Sequence, residues 1–148
     1  MDAAISHLAQ AVSLEPEFAP AWFWLGRASG QSAGSGGLVE RIQLAGKTRD
    51  AFALAFERNP DNFGYAYALV QFHLRAPGIV GGGSEKARDV IGRFTGRRPE
   101  GRRLLEASYS LAENDEDRTL SLLSEVDNLD DGIIRRIWKE IALHLGQS

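Results

Sequence analysis

The chain contains no cysteine, so disulfides, thiolate metal sites and cysteine nucleophiles are all excluded. Histidine is scarce as well. The three present, His7, His73 and His144, form no pair at the i, i+3 or i+4 spacing of helical metal ligands, and no metal or other cofactor is expected. No apolar run approaches the roughly 20 residues needed to span a bilayer, and the start Met1-Asp2-Ala3-Ala4-Ile5 lacks the basic and apolar regions of a signal peptide. A basic excess is missing too. Lys plus Arg total 17 against 20 Asp plus Glu, a balance that argues against a dedicated nucleic-acid binder. Strand signals are nearly absent, because no stretch alternates apolar and polar residues for long. With 148 residues, 43% of them hydrophobic and 25% charged, what remains is one globular domain.

Helical patterning fills the chain. Residues 2–14 place Ala4, Ile5, Leu8, Ala11 and Val12 on one face. The stretches 19–29, 47–58, 63–75, 84–95, 101–113, 117–126 and 132–145 read the same way, giving an all-α protein of seven to eight helices. Glycines interrupt this pattern in two places, at 30, 34, 36, 37 and 46 and again at 78, 81, 82 and 83, and both are expected to be loops.

A spacing repeats along the chain. Ala4, Leu8, Ala11 and Pro16 are separated by four, three and five residues; Thr48, Phe52, Ala55 and Pro60 show the same separations, as do Ala87, Ile91, Phe94 and Pro99. A small residue lets two helices approach, the next two positions fill the seam, and proline ends the helix.

On these residues, with Trp22, Leu25 and Gly26 after Pro16, the chain resembles the tetratricopeptide repeat (TPR) family, whose unit is a helix–turn–helix of about 34 residues. The segment from Ala76 to Ser84 is similar to a loop in a subset of bacterial TPR proteins. The resemblance implies a right-handed superhelix of antiparallel helix pairs in a single domain, residues 1–148. Residues 2–16 form the second helix of an incomplete first repeat, 19–60 and 63–99 two repeats with glycine-rich insertions, and 100–148 a degenerate repeat with a terminal helix. Departures are Thr48 for alanine, Ser29 for tyrosine, and Ala66 and Val70 where an aromatic and a glycine are expected.

What the resemblance implies for function is a non-catalytic scaffold or adaptor that binds a protein or peptide in a concave groove. By the family's register the groove is lined by Phe23, Arg27, Tyr67, Gln71, Leu74, Arg103 and Glu106. Two alternatives stand beside it: a homodimer formed through the unpaired first helix by Ile5, Leu8 and Val12, and a small-ligand binder whose glycine-rich insertions fold over the groove. The compartment follows from the start of the chain: cytoplasmic if residue 1 is natural, periplasmic if an upstream export signal was removed.

Candidate chemistry elsewhere is thin. Gly30 to Gly37 lacks the Gly-Lys-Ser/Thr of a phosphate loop and follows a helix rather than a strand. Gly81-Gly82-Gly83-Ser84 is read as a helix start capped by Ser84, with an anion site as the alternative. Asp127, Asp131 and Gly132 fall at calcium-loop positions, but Leu129 and Trp138 stand where ligands are needed, so an acidic linker is expected. Charge is uneven. Residues 85–103 set Lys86, Arg88, Arg93, Arg97, Arg98, Arg102 and Arg103 against Glu85, Asp89 and Glu100, while 113–131 carry eight acids against Arg118. A solvated face is the reading preferred over docking of an acidic partner.

Overall fold

The computed structural model describes residues 2–34 and 36–146. Among them are eight α-helices and no strand: α1 (Asp2–Leu14), α2 (Ala19–Ala33), α3 (Leu38–Arg58), α4 (Phe63–Arg75), α5 (Ser84–Arg93), α6 (Pro99–Ala112), α7 (Glu116–Ser124) and α8 (Gly132–Leu145). A single 3-10 turn, Gly78–Val80, lies between α4 and α5.

Local chemistry sets the boundaries. The Asn62 side chain accepts from the Tyr65 amide at 3.0 Å and starts α4. Asp115 accepts from the Arg118 amide at 3.1 Å and starts α7, and Asp131 accepts from Ile133 and Ile134 at 2.9 and 3.1 Å to start α8. The acidic stretch near Asp131 is therefore a linker ending in a helix cap. Proline stands second in α2 (Pro20) and first in α6 (Pro99), where its fixed φ suits the first turn. Asn114, at φ 61°, closes α6: the Asp115 amide then reaches back to the Ser110 carbonyl at 2.9 Å.

Successive helices pack on one another, and α6 additionally touches α4 and α8. Three apolar clusters follow. The central one joins Phe52 and Phe56 of α3, Leu69 and Val70 of α4, Val90 and Ile91 of α5, Phe94 and Leu105. A second joins Leu104, Leu122, Leu123, Val126, Ile134, Ile137 and Ile141. The third, smaller, holds Val12, Ala21, Leu25 and Ala51. Each fully buried Leu, Ile or Phe contributes about 1.5–3 kcal/mol relative to exposure.

The repeated spacing has a structural meaning in two of its three occurrences. Thr48, Phe52 and Ala55 are buried, as are Ala87, Ile91 and Phe94. In the first, Ala4 is exposed and Leu8 and Ala11 are only half-buried. Gly26 explains the Phe52 position: a Cβ there would lie 2.5 Å from Phe52 Cδ1, so only glycine lets the ring seat on α2. The prolines also stitch turns together. The Pro16 carbonyl accepts from Trp22 Nε1 and Arg58 Nε, both at 2.7 Å, and the Pro60 carbonyl from the Thr95 amide at 3.0 Å.

The first glycine-rich stretch is not the long loop expected. Gly30 lies inside α2 and Gly46 inside α3, and the connection shrinks to residues 34–37. The surplus residues lengthen both helices, so that their intrahelical hydrogen bonds and the α2–α3 seam outweigh the modest cost of a helical glycine, about 1 kcal/mol each. The second stretch is a loop, held in one conformation. Gly81 (φ 93°) and Gly83 (φ 153°) adopt backbone angles that other residues avoid. A Cβ on Gly82 would collide with the Ala76 carbonyl.

Candidate functional site

Consecutive aromatics on α2 cannot share a face, and the structure sorts them. Trp22 turns toward α1 and bonds Pro16, whereas Phe23 and the exposed Trp24 point into a groove. Phe23 is half-buried among Phe52 (ring centroids 5.9 Å), Tyr65 (5.1 Å) and Trp24 (5.6 Å, edge to face). One turn on, the Arg27 guanidinium lies 5.1 Å from the Trp24 ring and 5.9 Å from that of Phe23.

The opposite walls come from α4 and α8. Tyr67, Gln71 and Arg75 form a stripe at four-residue spacing along α4, and Ile133, Arg136, Ile137 and Glu140 line the facing side of α8. Together with α2 they enclose about 820 Å³. Across Tyr67, Gln71, Arg75 and Glu140, which line both, lies a second recess of about 220 Å³ walled by Leu74, Ser108, Leu111, Ala112, Ile141 and His144.

Charge gathers where the two recesses adjoin. Burial, the Glu140 charge and a hydrogen bond to the Glu140 carboxylate push the Tyr67 phenol up to about 12, against opposing pulls from Arg75 and Arg136. Arg136 and Glu140 approach to 4.0 Å. Among the described residues no carboxylate lies within ion-pair distance of Arg27 or Arg75.

Of the residues named from sequence, Phe23, Arg27, Tyr67 and Gln71 line the main chamber and Leu74 the recess. Arg103 and Glu106 do not join them. On α6 both fall well over a third of a helical turn from Ser108, which faces the recess. Arg103 instead meets Glu125 at 3.5 Å, and Glu106 accepts both its bonds from Arg88 at 2.9 Å. Trp24, Arg75, Arg136 and Glu140 are the additions. Arg75 continued the Tyr67–Gln71 stripe and was findable; nothing in the sequence says which face of α8 meets α4.

Ile5, Leu8 and Val12 are occupied within the chain. Val12 is buried, with Ile5 and Leu8 half-buried, against Ala21 and Leu25 of α2 and Ala51 of α3. Among the described residues, the glycine-rich segments contribute Gly30 and Ala76 to the groove's lining and otherwise stand beside it. Arg49 Nη1 donates to the Val80 carbonyl at 3.1 Å, Lys86 Nζ to that of Gly81 at 3.2 Å, and His73 Nδ1 lies 3.2 Å from the same oxygen. Ser84 does not cap α5. Gly83 holds the cap position without a side-chain bond, and Ser84 is the first helical residue. The basic and acidic stretches meet at two points, Arg98–Asp131 and Arg103–Glu125, both at 3.5 Å.

No family model matches the chain, and no curated protein or solved structure matches it either.

Proposed function

We propose that this chain is a non-catalytic, TPR-like scaffold that holds an extended segment of another protein in the groove between α2, α4, α6 and α8. The observation that carries the reading is the lining of that groove. Two adjoining recesses share Tyr67, Gln71, Arg75 and Glu140 as common wall residues, so the lining runs along α2, α4 and α8 rather than around one closed cavity. Phe23 and Trp24 supply aromatic anchors of the kind that dominate peptide-binding energies, and Gln71 supplies a donor and an acceptor for a peptide backbone. The helix pairs and the Gly26–Phe52 seating support the TPR-like arrangement. The self-assembly reading has less to support it, since Val12 is buried and Ile5 and Leu8 are half-buried against α2 within the chain. A lidded small-ligand site has less to support it too, because the loop at 76–84 is tied to Arg49 and Lys86 beside the groove.

The test is selection of a displayed random-peptide library on the purified chain. Selected peptides are then titrated against Phe23→Ala and Gln71→Ala variants whose helical content is checked by circular dichroism. Binding weakened by roughly tenfold in either folded variant supports the reading, matching about 1.4 kcal/mol of lost contact. Binding unchanged in both places the interaction elsewhere.

A further inference from the structure

We infer that the apolar tip of the α2–α3 hairpin docks on a lipid surface, with Leu38, Val39 and Ile42 entering the bilayer interface and Arg41 and Lys47 facing its headgroups. This surface is separate from the groove, and the inference stands apart from the groove reading.

The hairpin reaches past the core that it helps to build. Among the described residues of 30–47, none belongs to any of the three apolar clusters and only Ser32 is buried. The first buried side chain of α3 is Thr48, so residues 38–47 carry that helix about 15 Å beyond it. A segment that costs ordering entropy and adds no core is marked out by what it presents at its end. There Leu38 and Val39 are 70% and 68% exposed, and Ile42, one turn on, is 39% exposed. The other exposed large apolar side chains are arranged differently. Trp24 and Ile133 line the groove, Leu14 and Phe18 bracket the acids Glu15 and Glu17, and Ile79, Leu120 and Leu143 lie on three different elements.

Shape selects the occupant. Three side chains at a projecting tip fall far short of the roughly 800 Å² per partner that a stable protein interface buries, so a second copy meeting it tip to tip gains too little contact. A bilayer interface needs no matching groove, and its hold grows with the apolar area that enters it. Charge agrees with shape. Residues 28–39 carry no charged side chain, and behind the tip Arg41 and Lys47 outnumber the acidic Glu40. Basic side chains at that level lay their stems along apolar surface and extend their charges to lipid phosphates. Insertion is shallow, because the backbone polar groups of the glycine-rich turn need water.

The test is co-sedimentation of the full chain with vesicles of phosphatidylcholine and phosphatidylglycerol in equal parts. Wild type is compared with Leu38→Glu/Val39→Glu, with Arg41→Gln/Lys47→Gln, and with Leu143→Glu as a control on an exposed leucine away from the tip. Circular dichroism checks that each is folded. Wild type and L143E are expected to bind, the leucine–valine double variant to partition roughly tenfold more weakly or worse, and the arginine–lysine variant to lose most on anionic vesicles. Wild type that stays in the supernatant overturns the inference. So does binding that the tip substitutions leave unchanged, which is adsorption through another face, and so does an equal loss in L143E. A concentration-dependent oligomer in the absence of vesicles, dissolved by L38E/V39E, overturns it in favour of a second copy. Peptide binding in the groove should be the same in L38E/V39E as in wild type, which keeps a failure here distinct from a failure of the groove reading.

Discussion

Tyr67 on α4 and Glu140 on α8 line the same stretch of the groove, where its two recesses adjoin. Burial of the phenol, and after it the negative charge of Glu140, hold the phenol's proton. Tyr67 is therefore expected to ionise near pH 12, against about 10 for a free tyrosine. Because the folded value is raised, this tyrosine's contribution to stability is full below about pH 10 and is lost as pH climbs toward 12. Ultraviolet titration of the phenolate checks it. Glu140→Gln should bring the late transition to lower pH, and Tyr67→Phe should remove it.

His73 gives the opposite sign. Burial holds its pKa below the ordinary value, opposed by the bond to the Gly81 carbonyl and reinforced by Lys86, Arg49 and Arg93. The unfolded chain then takes up the proton first, so stability present above about pH 6.5 is lost as the solution is acidified. Denaturant midpoints measured through this range should fall with pH in the wild type and fall less in His73→Gln. The loop at 76–84, which His73 shares with Arg49 and Lys86, should be cut by protease first on the acid side.

Two glycines set a contrast in chain geometry. A side chain on Gly82 would run into the Ala76 carbonyl, a backbone atom that cannot swing away, whereas nothing lies within 4 Å of a Cβ on Gly92 in α5. Gly82→Ala should cost on the order of 2–4 kcal/mol, at the large end for single substitutions. Gly92→Ala should stabilise by about 0.5–1 kcal/mol through helix propensity. Chemical denaturation of the two variants beside the wild type reads both.

With Val12, Leu8 and Ile5 seated on α2, Leu8→Glu is expected to loosen α1 within a single chain. The melting temperature should drop and stay independent of protein concentration. A wild-type melting temperature that rises with concentration would instead put a second copy on this face.

Much of the fold was legible because helices advertise themselves by period. The spans 2–14, 63–75 and 132–145 were readable to the residue, since each has an apolar stripe and an abrupt boundary such as Asn62 or Asp131. Gly30 and Gly46 misled: glycine weakens a helix without forbidding it, and the seam between α2 and α3 decided the matter. Ser84 misled for a related reason, because the tight turn at Gly83 shifts the helix start by one position. For the groove, the residues of α2 and α4 followed from spacing along each helix. The contribution of α8 did not, since contacts between Tyr67 and Glu140 span 73 positions and depend on how α6 sets α8 against α4. Arg103 and Glu106 were assigned by a register that α6 does not keep.

The central claim is that the trough between α2, α4 and α8 is the binding surface, and amide and side-chain chemical-shift mapping with a selected peptide tests it most directly. The account predicts shifts concentrated at Trp24 Nε1, Arg27, Gln71, Arg75 and Glu140, with Arg103 and Glu106 unmoved. Shifts confined to the far surfaces, such as the exposed Leu38 and Val39 at the tip of the α2–α3 hairpin, would contradict it.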